Sequence, residues 1–165
     1  PDRLDLLAAA EAGRELHGRI VLASLERVTP LLVSPAGELQ VAMQLGRDPG
    51  GTYRLSGSIR GNLILQCQRC LEALPWPLDV EFRLGLVRSQ EAAERLARGY
   101  EPLLVTAEPA CVADIVSDEV LLALPFAPVH EDPGECHGLY KDYQPSNDAQ
   151  RENPFAVLAG LKQKQ

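Results

Sequence analysis

Several things that function classes usually require are missing from this sequence. No apolar run approaches the ~18 residues a membrane-spanning helix needs, so a helical span is excluded. No basic-then-apolar leader opens the chain, which gives no support for secretion. Nothing else points to an oxidising compartment, so the four cysteines are not expected to form a disulfide framework. The chain opens at Pro1, as a sequence with a piece missing upstream would. Glycine-rich phosphate loops, an HExxH helix, a GxSxG elbow and a supported Ser/His/Asp set are all absent. The adjacent acids Asp118 and Glu119 point to different azimuths of a helix, and a solvated helix face is expected there rather than an acid/base pair. The expectation is a protein that is not an enzyme.

A surplus of basic residues is also lacking. Residues 1–100 hold 12 Lys+Arg against 12 Asp+Glu, while residues 101–165 hold 4 against 11, which accounts for the whole net charge of −7. Binding that rests mainly on phosphate contacts needs a basic surface, and the chain as a whole does not offer one. A local patch from Arg54, Arg60, Arg69 and Arg83 stays open, with ordinary solvated strand faces as the plainer reading. The acidic third suits either solubility or a basic protein partner.

What is present fits one ordinary domain: 165 residues, 45% apolar and 24% charged, enough for one core. Asp2 to Ala12 reads as a short helix stopped by Gly13. Residues 16–33 are ambiguous between a helical turn through Leu22, Leu25 and Val28 and an extended stretch around Pro30. Alternation then sets in. Leu39 to Leu45, Tyr53 to Cys67 and Trp76 to Leu86 each put apolar residues at every second position, which predicts three antiparallel strands. Gly57 and Gly61 predict a bend or a bulge in the middle strand. Ser89 starts a predicted helix running to Arg98, with Gly99 at its left-handed end. A short extended piece at 103–105 and a helix with Val112, Ile115, Val116, Val120 and Leu121 on one face follow, ended by Pro125. Residues 125–152 are Pro-rich and aperiodic. Asn153-Pro154 then opens a short helix striped by Phe155, Leu158 and Leu161, a surface that could dock on the domain or on a partner. The predicted class is α+β, with a domain over residues 1–125 and an acidic loop plus C-terminal helix over 126–165 as its appendage.

The strongest chemical signal is Cys67-Gln68-Arg69-Cys70, between the two best strands and so at a hairpin tip. Two cysteines separated by two residues at a tight turn can aim both sulfurs at one tetrahedral zinc ion. The remaining ligands could come from His130 and Cys136 in the acidic loop. Two other readings stand beside zinc: a pair of reduced thiols without metal, and a thiol redox pair. The latter would need a helix starting at the first cysteine. Cys111 has no partner and is expected to be a buried, inert thiol; His17 is remote.

Three quoted stretches together resemble one family. Leu65 to Cys70 is similar to the CxRC core of the YceD-like proteins, bacterial large ribosomal RNA subunit accumulation factors. The run from Asp118 through Glu131 resembles that family's acidic-apolar helix and Pro-His segment, and Asn153 to Leu158 its C-terminal NPFAVL motif. The resemblance covers roughly residues 15–162. It implies a cytoplasmic protein that supports 23S ribosomal RNA accumulation without known catalysis. Its expected partners are ribosomal RNA or the pre-50S particle, with the large-subunit protein L32 as a candidate and no membrane. It also implies that a zinc site would use Cys67, Cys70, His130 and Cys136, with His137 as a rival ligand because the His130–Cys136 spacing is one residue longer than the family's. Cys111 falls outside the pattern. Arg60 and Arg69, near and at the hairpin tip, are the candidate RNA contacts.

Overall fold

Strict alternation between residues 38 and 87 builds three long strands, β3 (Glu38–Arg47), β4 (Tyr53–Gln66) and β5 (Ala73–Val87). The structure is a computed structural model describing residues 3–136. In it β3 and β5 flank β4 antiparallel, so that Leu55 lies opposite Leu45 and Leu84, and Ile59 opposite Val41 and Val80. One face is therefore continuous with the core, and the other carries Arg54, Ser56, Ser58, Arg60, Asp79, Glu81 and Arg83. The turn from β3 to β4 is closed by Asp48, whose carboxylate accepts from Thr52 N–H at 2.8 Å and from the Tyr100 hydroxyl at 3.2 Å. These donors, Thr52 first, hold the Asp48 carboxyl below its ordinary range.

No bulge forms at either glycine: Gly57 is in register with both neighbours, opposite Met43 and Phe82, and Gly61 stays in register with Leu78 of β5. The glycines make room instead. The Phe82 ring lies over Gly57, and a Cβ there would come 2.5 Å from Phe82 Cζ and 2.6 Å from the Ala42 carbonyl oxygen. Leu39 packs over Gly61 in the same way, at 2.6 Å.

Two further strands, β2 (Glu15–Val21) and β6 (Glu101–Leu104), complete a sheet ordered β2-β3-β4-β5-β6, giving an α+β fold. The ambiguous region resolves into β2 (Glu15–Val21), antiparallel to β3, and then two 3₁₀ turns at Leu22–Ser24 and Thr29–Leu31. Leu22, Leu25 and Val28 are wholly buried, so their spacing reports turns wrapped on the core and not an α-helix. On the far side β6 (Glu101–Leu104) runs parallel to β5, which departs from an all-antiparallel sheet. A parallel neighbour needs a crossover, and the chain makes it through α2 (Gln90–Glu94). Ser89 caps α2 as predicted, its hydroxyl accepting from Ala92 N–H, but the helix stops at Glu94 and not at Arg98. Beyond it Leu96 folds onto Gly85, where a Cβ would come within 2.6 Å of the leucine side chain.

Helices α1 (Leu6–Glu11) and α3 (Val112–Ala123) close the core, burying Leu6, Ala9 and Ala10 from one and Ile115, Val116 and Val120 from the other. A small antiparallel pair, β1 (Arg3–Leu4) with β7 (Ala110–Cys111), ties their starts together. Asp5 caps α1 by accepting from Leu7 N–H at 3.1 Å and Ala8 N–H at 3.0 Å. With one short helix and both donors local, Asp5→Ala is expected to cost about 1 kcal/mol, read as a lower urea midpoint at unchanged slope.

Two expectations on α3 need correcting. Asp118 is exposed and pairs with Arg27, but Glu119 is buried and not part of a solvated face. Burial, followed by the nearby Glu101 and Asp118 charges, pushes the Glu119 carboxyl above its usual range. Cys111, at the start of the helix, is half-buried and not fully enclosed. His137 and the stripe of Phe155, Leu158 and Leu161 lie outside the described residues.

Candidate metal centre

Strands β4 and β5 continue their ladder to Gln66 opposite Ala73, leaving residues 67–72 to make the reversal. Cys67 closes it from both sides. Its N–H donates to the Glu72 carbonyl at 2.9 Å, and its own carbonyl accepts from Leu71 N–H at 2.8 Å. Leu71 takes a left-handed conformation with φ 64°, a place where glycine would be unstrained. The result is a knuckle that turns Cys67 and Cys70 inward, both buried against Leu74 and Trp76. Trp76 also packs on the main core, so the tip is an extension of the sheet's apolar face.

The loop after α3 returns to this tip. Gln68 N–H donates to the Pro128 carbonyl at 2.7 Å, which lays residues 128–136 against the knuckle. His130 is buried there, with Nδ1 3.5 Å from Cys70 Sγ and 3.6 Å from Cys136 Sγ. One ligand atom from each of Cys67, Cys70, His130 and Cys136 lies within 4.8 Å of the other three. Hence all four sequence-predicted ligands, separated by up to 69 positions in the chain, meet at one point. Among the described residues His17 is not part of this group and Cys111 is not either.

The electrostatics are those of a sulfur cage. Burial by itself pushes the Cys67 thiol up. Backbone donors at Cys70, His130 and Arg69, with the Cys70 side chain, outweigh it and bring Cys67 down to about 6. Cys70 goes the other way, to about 11, because burial is reinforced by the neighbouring Cys67 and Cys136 sulfurs, against the opposing Glu72 N–H. The two hairpin thiols are thus pushed apart in their affinity for a proton.

The donor set fits a tetrahedral ion. Zinc bonds to sulfur at ~2.3 Å and to imidazole nitrogen at ~2.0 Å, which places neighbouring ligand atoms roughly 3.5 Å apart. The two sulfur–nitrogen separations have that value. A closed set of three cysteines and one histidine leaves no position for a substrate, as structural sites do. The helix that the redox reading needs is not there: β5 follows the turn, and Cys67 and Cys70 are both buried. A nucleophilic thiolate has to reach its target sulfur.

The RNA-contact candidates sit differently. Arg69 is at the exposed tip, its guanidinium 4.0 Å from Cys136 Sγ. Arg60 is on the wet face of β4 and is engaged by Asp79 at 2.9 Å. The contribution that sequence reasoning missed is Pro128, whose carbonyl docks the returning loop; no local pattern marks it.

Fold and site together define a class: an α+β protein whose long hairpin carries a four-residue Cys/His cluster closed by a distant loop. The family model described as "Large ribosomal RNA subunit accumulation protein YceD" matches residues 55–162. A protein of Haemophilus influenzae named "Large ribosomal RNA subunit accumulation protein YceD" is 30% identical over 169 residues, spanning 99% of this chain and 97% of the relative. This chain belongs to the YceD family. No solved structure matches it.

Proposed function

We propose that this chain is a non-catalytic factor supporting accumulation of 23S ribosomal RNA and large-subunit assembly, and that Cys67, Cys70, His130 and Cys136 hold a structural zinc ion. The convergence of those four ligands carries the metal part of the reading. The relative's name supplies the process. In this reading the zinc ion fastens the 126–136 segment to the domain that precedes it, and so sets the shape of the hairpin tip.

Arg69 and Arg60 would then meet RNA phosphates from the tip and the wet face. The Arg60–Asp79 pair is exposed on both sides and so a weak tie, readily exchanged for a phosphate. On the other hand, residues 101–136 contain eight Asp+Glu and no Lys or Arg, a stretch suited to a basic ribosomal protein such as L32. The whole would act in the cytoplasm on pre-50S particles.

Replacing Arg60→Glu and Arg69→Glu together is expected to cut co-sedimentation with pre-50S particles severalfold in sucrose gradients, most visibly at low salt. Undiminished co-sedimentation would remove both arginines from the interface. Elemental analysis of protein purified without a metal-affinity step is expected to find one zinc per chain.

A further inference from the structure

Among the described residues, strand β2 has a neighbour on one side only. It pairs with β3, and no described residue pairs with its other edge. The hydrogen bonds at its two ends tell which backbone groups that edge presents. Arg14 C=O accepts from Leu45 N–H, and Leu22 N–H donates to Gly37 C=O, so even-numbered residues turn their backbone groups toward β3. The N–H and C=O groups of Glu15, His17 and Arg19 therefore point outward. No proline or bulge blunts the strand, and its pairing with β3 is regular throughout.

Beside this edge runs an apolar groove of about 500 Å³ between β2 and the start of α3, lined by Leu16, Ile20, Val41, Met43, Val112 and Ala113. An added strand would hydrogen-bond to the edge and drop every second side chain into that groove.

The side chains of β2 identify the added strand. Its wet face reads Glu15, His17, Arg19, which is its own charge complement when run backwards. Antiparallel pairing centred on His17 sets Glu15 opposite Arg19 twice. It also sets Leu16 opposite Gly18, and a Cβ built on Gly18 would have nothing within 4 Å, so the incoming leucine has room. The neighbouring in-phase registers set Glu15 against Val21 or against His17, so neither places an acid opposite an arginine. We infer that the chain forms a two-fold symmetric dimer through β2, joining two five-stranded sheets edge to edge. Arg19 already meets Glu38 at 2.9 Å, with both side chains largely exposed, and in the dimer it bridges Glu38 and the second copy's Glu15. The dimer holds whether or not the chain acts on ribosomal RNA.

Sedimentation velocity of the full chain, from low to high micromolar, is expected to show the mass rising from 18.0 kDa toward twice that value. Arg19→Glu, which opposes like charges across the axis, should weaken the dimer about tenfold or more. Glu15→Arg combined with Arg19→Glu restores the complement and should restore the dimer. His17→Pro removes one outward N–H while leaving the β3 ladder intact, and should give a monomer. Unchanged circular dichroism and a cooperative thermal melt qualify each variant as folded. If His17→Pro does not fold, the charge swap decides alone. A wild-type chain that stays monomeric throughout overturns the inference. So does a folded charge swap that fails to re-associate, or a dimer that survives His17→Pro. A monomer whose β2 amides resist hydrogen exchange would also overturn it, in favour of a cover from elsewhere in the same chain.

Discussion

Chelating the metal, or replacing Cys70 by Ser, is expected to lower the melting temperature by roughly 10 °C or more. The effect is large because one ion would fasten two distant pieces of chain. Cys67 and Cys70 come from the hairpin, His130 and Cys136 from a loop reached some sixty residues later. Without the ion the sulfur cage is a liability: buried thiols crowd one another, and Leu71 keeps its left-handed backbone with less to enforce it. The Gln68–Pro128 hydrogen bond would still tie the loop to the knuckle, but it is one backbone contact. Cys111→Ser serves as the control, since Cys111 stands outside the cluster, and it should leave both zinc content and melting nearly unchanged. Thermal melts with and without chelator, paired with elemental analysis, check the result. A Cys70→Ser variant that melts like the parent would remove the structural role of the centre.

Gly57→Ala is expected to destabilise the fold by about 1–3 kcal/mol, an unusual penalty for one methyl group in a strand. Adding a Cβ to a sheet glycine normally helps slightly, because alanine gives up less backbone entropy. Here the added atom would meet a backbone oxygen on β3 and the Phe82 ring on β5 at once, and the oxygen cannot swing aside. Either the strands part or the ring leaves the core. Gly46→Ala provides the contrast: its Cβ would touch only the Arg54 guanidinium at 4.0 Å and should be near neutral. Urea denaturation of the two variants side by side measures the difference. Equal stability would mean that the Phe82 ring has somewhere else to go.

Part of this molecule was legible in one dimension. The period-2 runs that became β3, β4 and β5 report directly which face is apolar, because alternation is a property of neighbours in the chain. The same local logic placed Cys67 and Cys70 at a turn, found the Ser89 cap and ended α3 before Pro125. It offered a bend or a bulge at Gly57, where no bulge forms, and read Glu119 as solvated, because each outcome depends on what packs against the residue from another element. Phe82 decides the first, and the core beneath α3 decides the second.

The centre divides along the same line. That two cysteines at a hairpin tip could hold half a metal site follows from four consecutive residues. That His130 and Cys136 complete it was supported in the sequence by their residue types and a family resemblance. The geometry came from the fold: Pro128 docking on the knuckle and Trp76 joining the tip to the core. Likewise β2 read as neither helix nor strand, since Gly18 interrupts its alternation, and only its register on β3 made it an edge. Local spacing determines which groups can do chemistry; long-range closure, driven by burial of one shared apolar face, decides which of them meet.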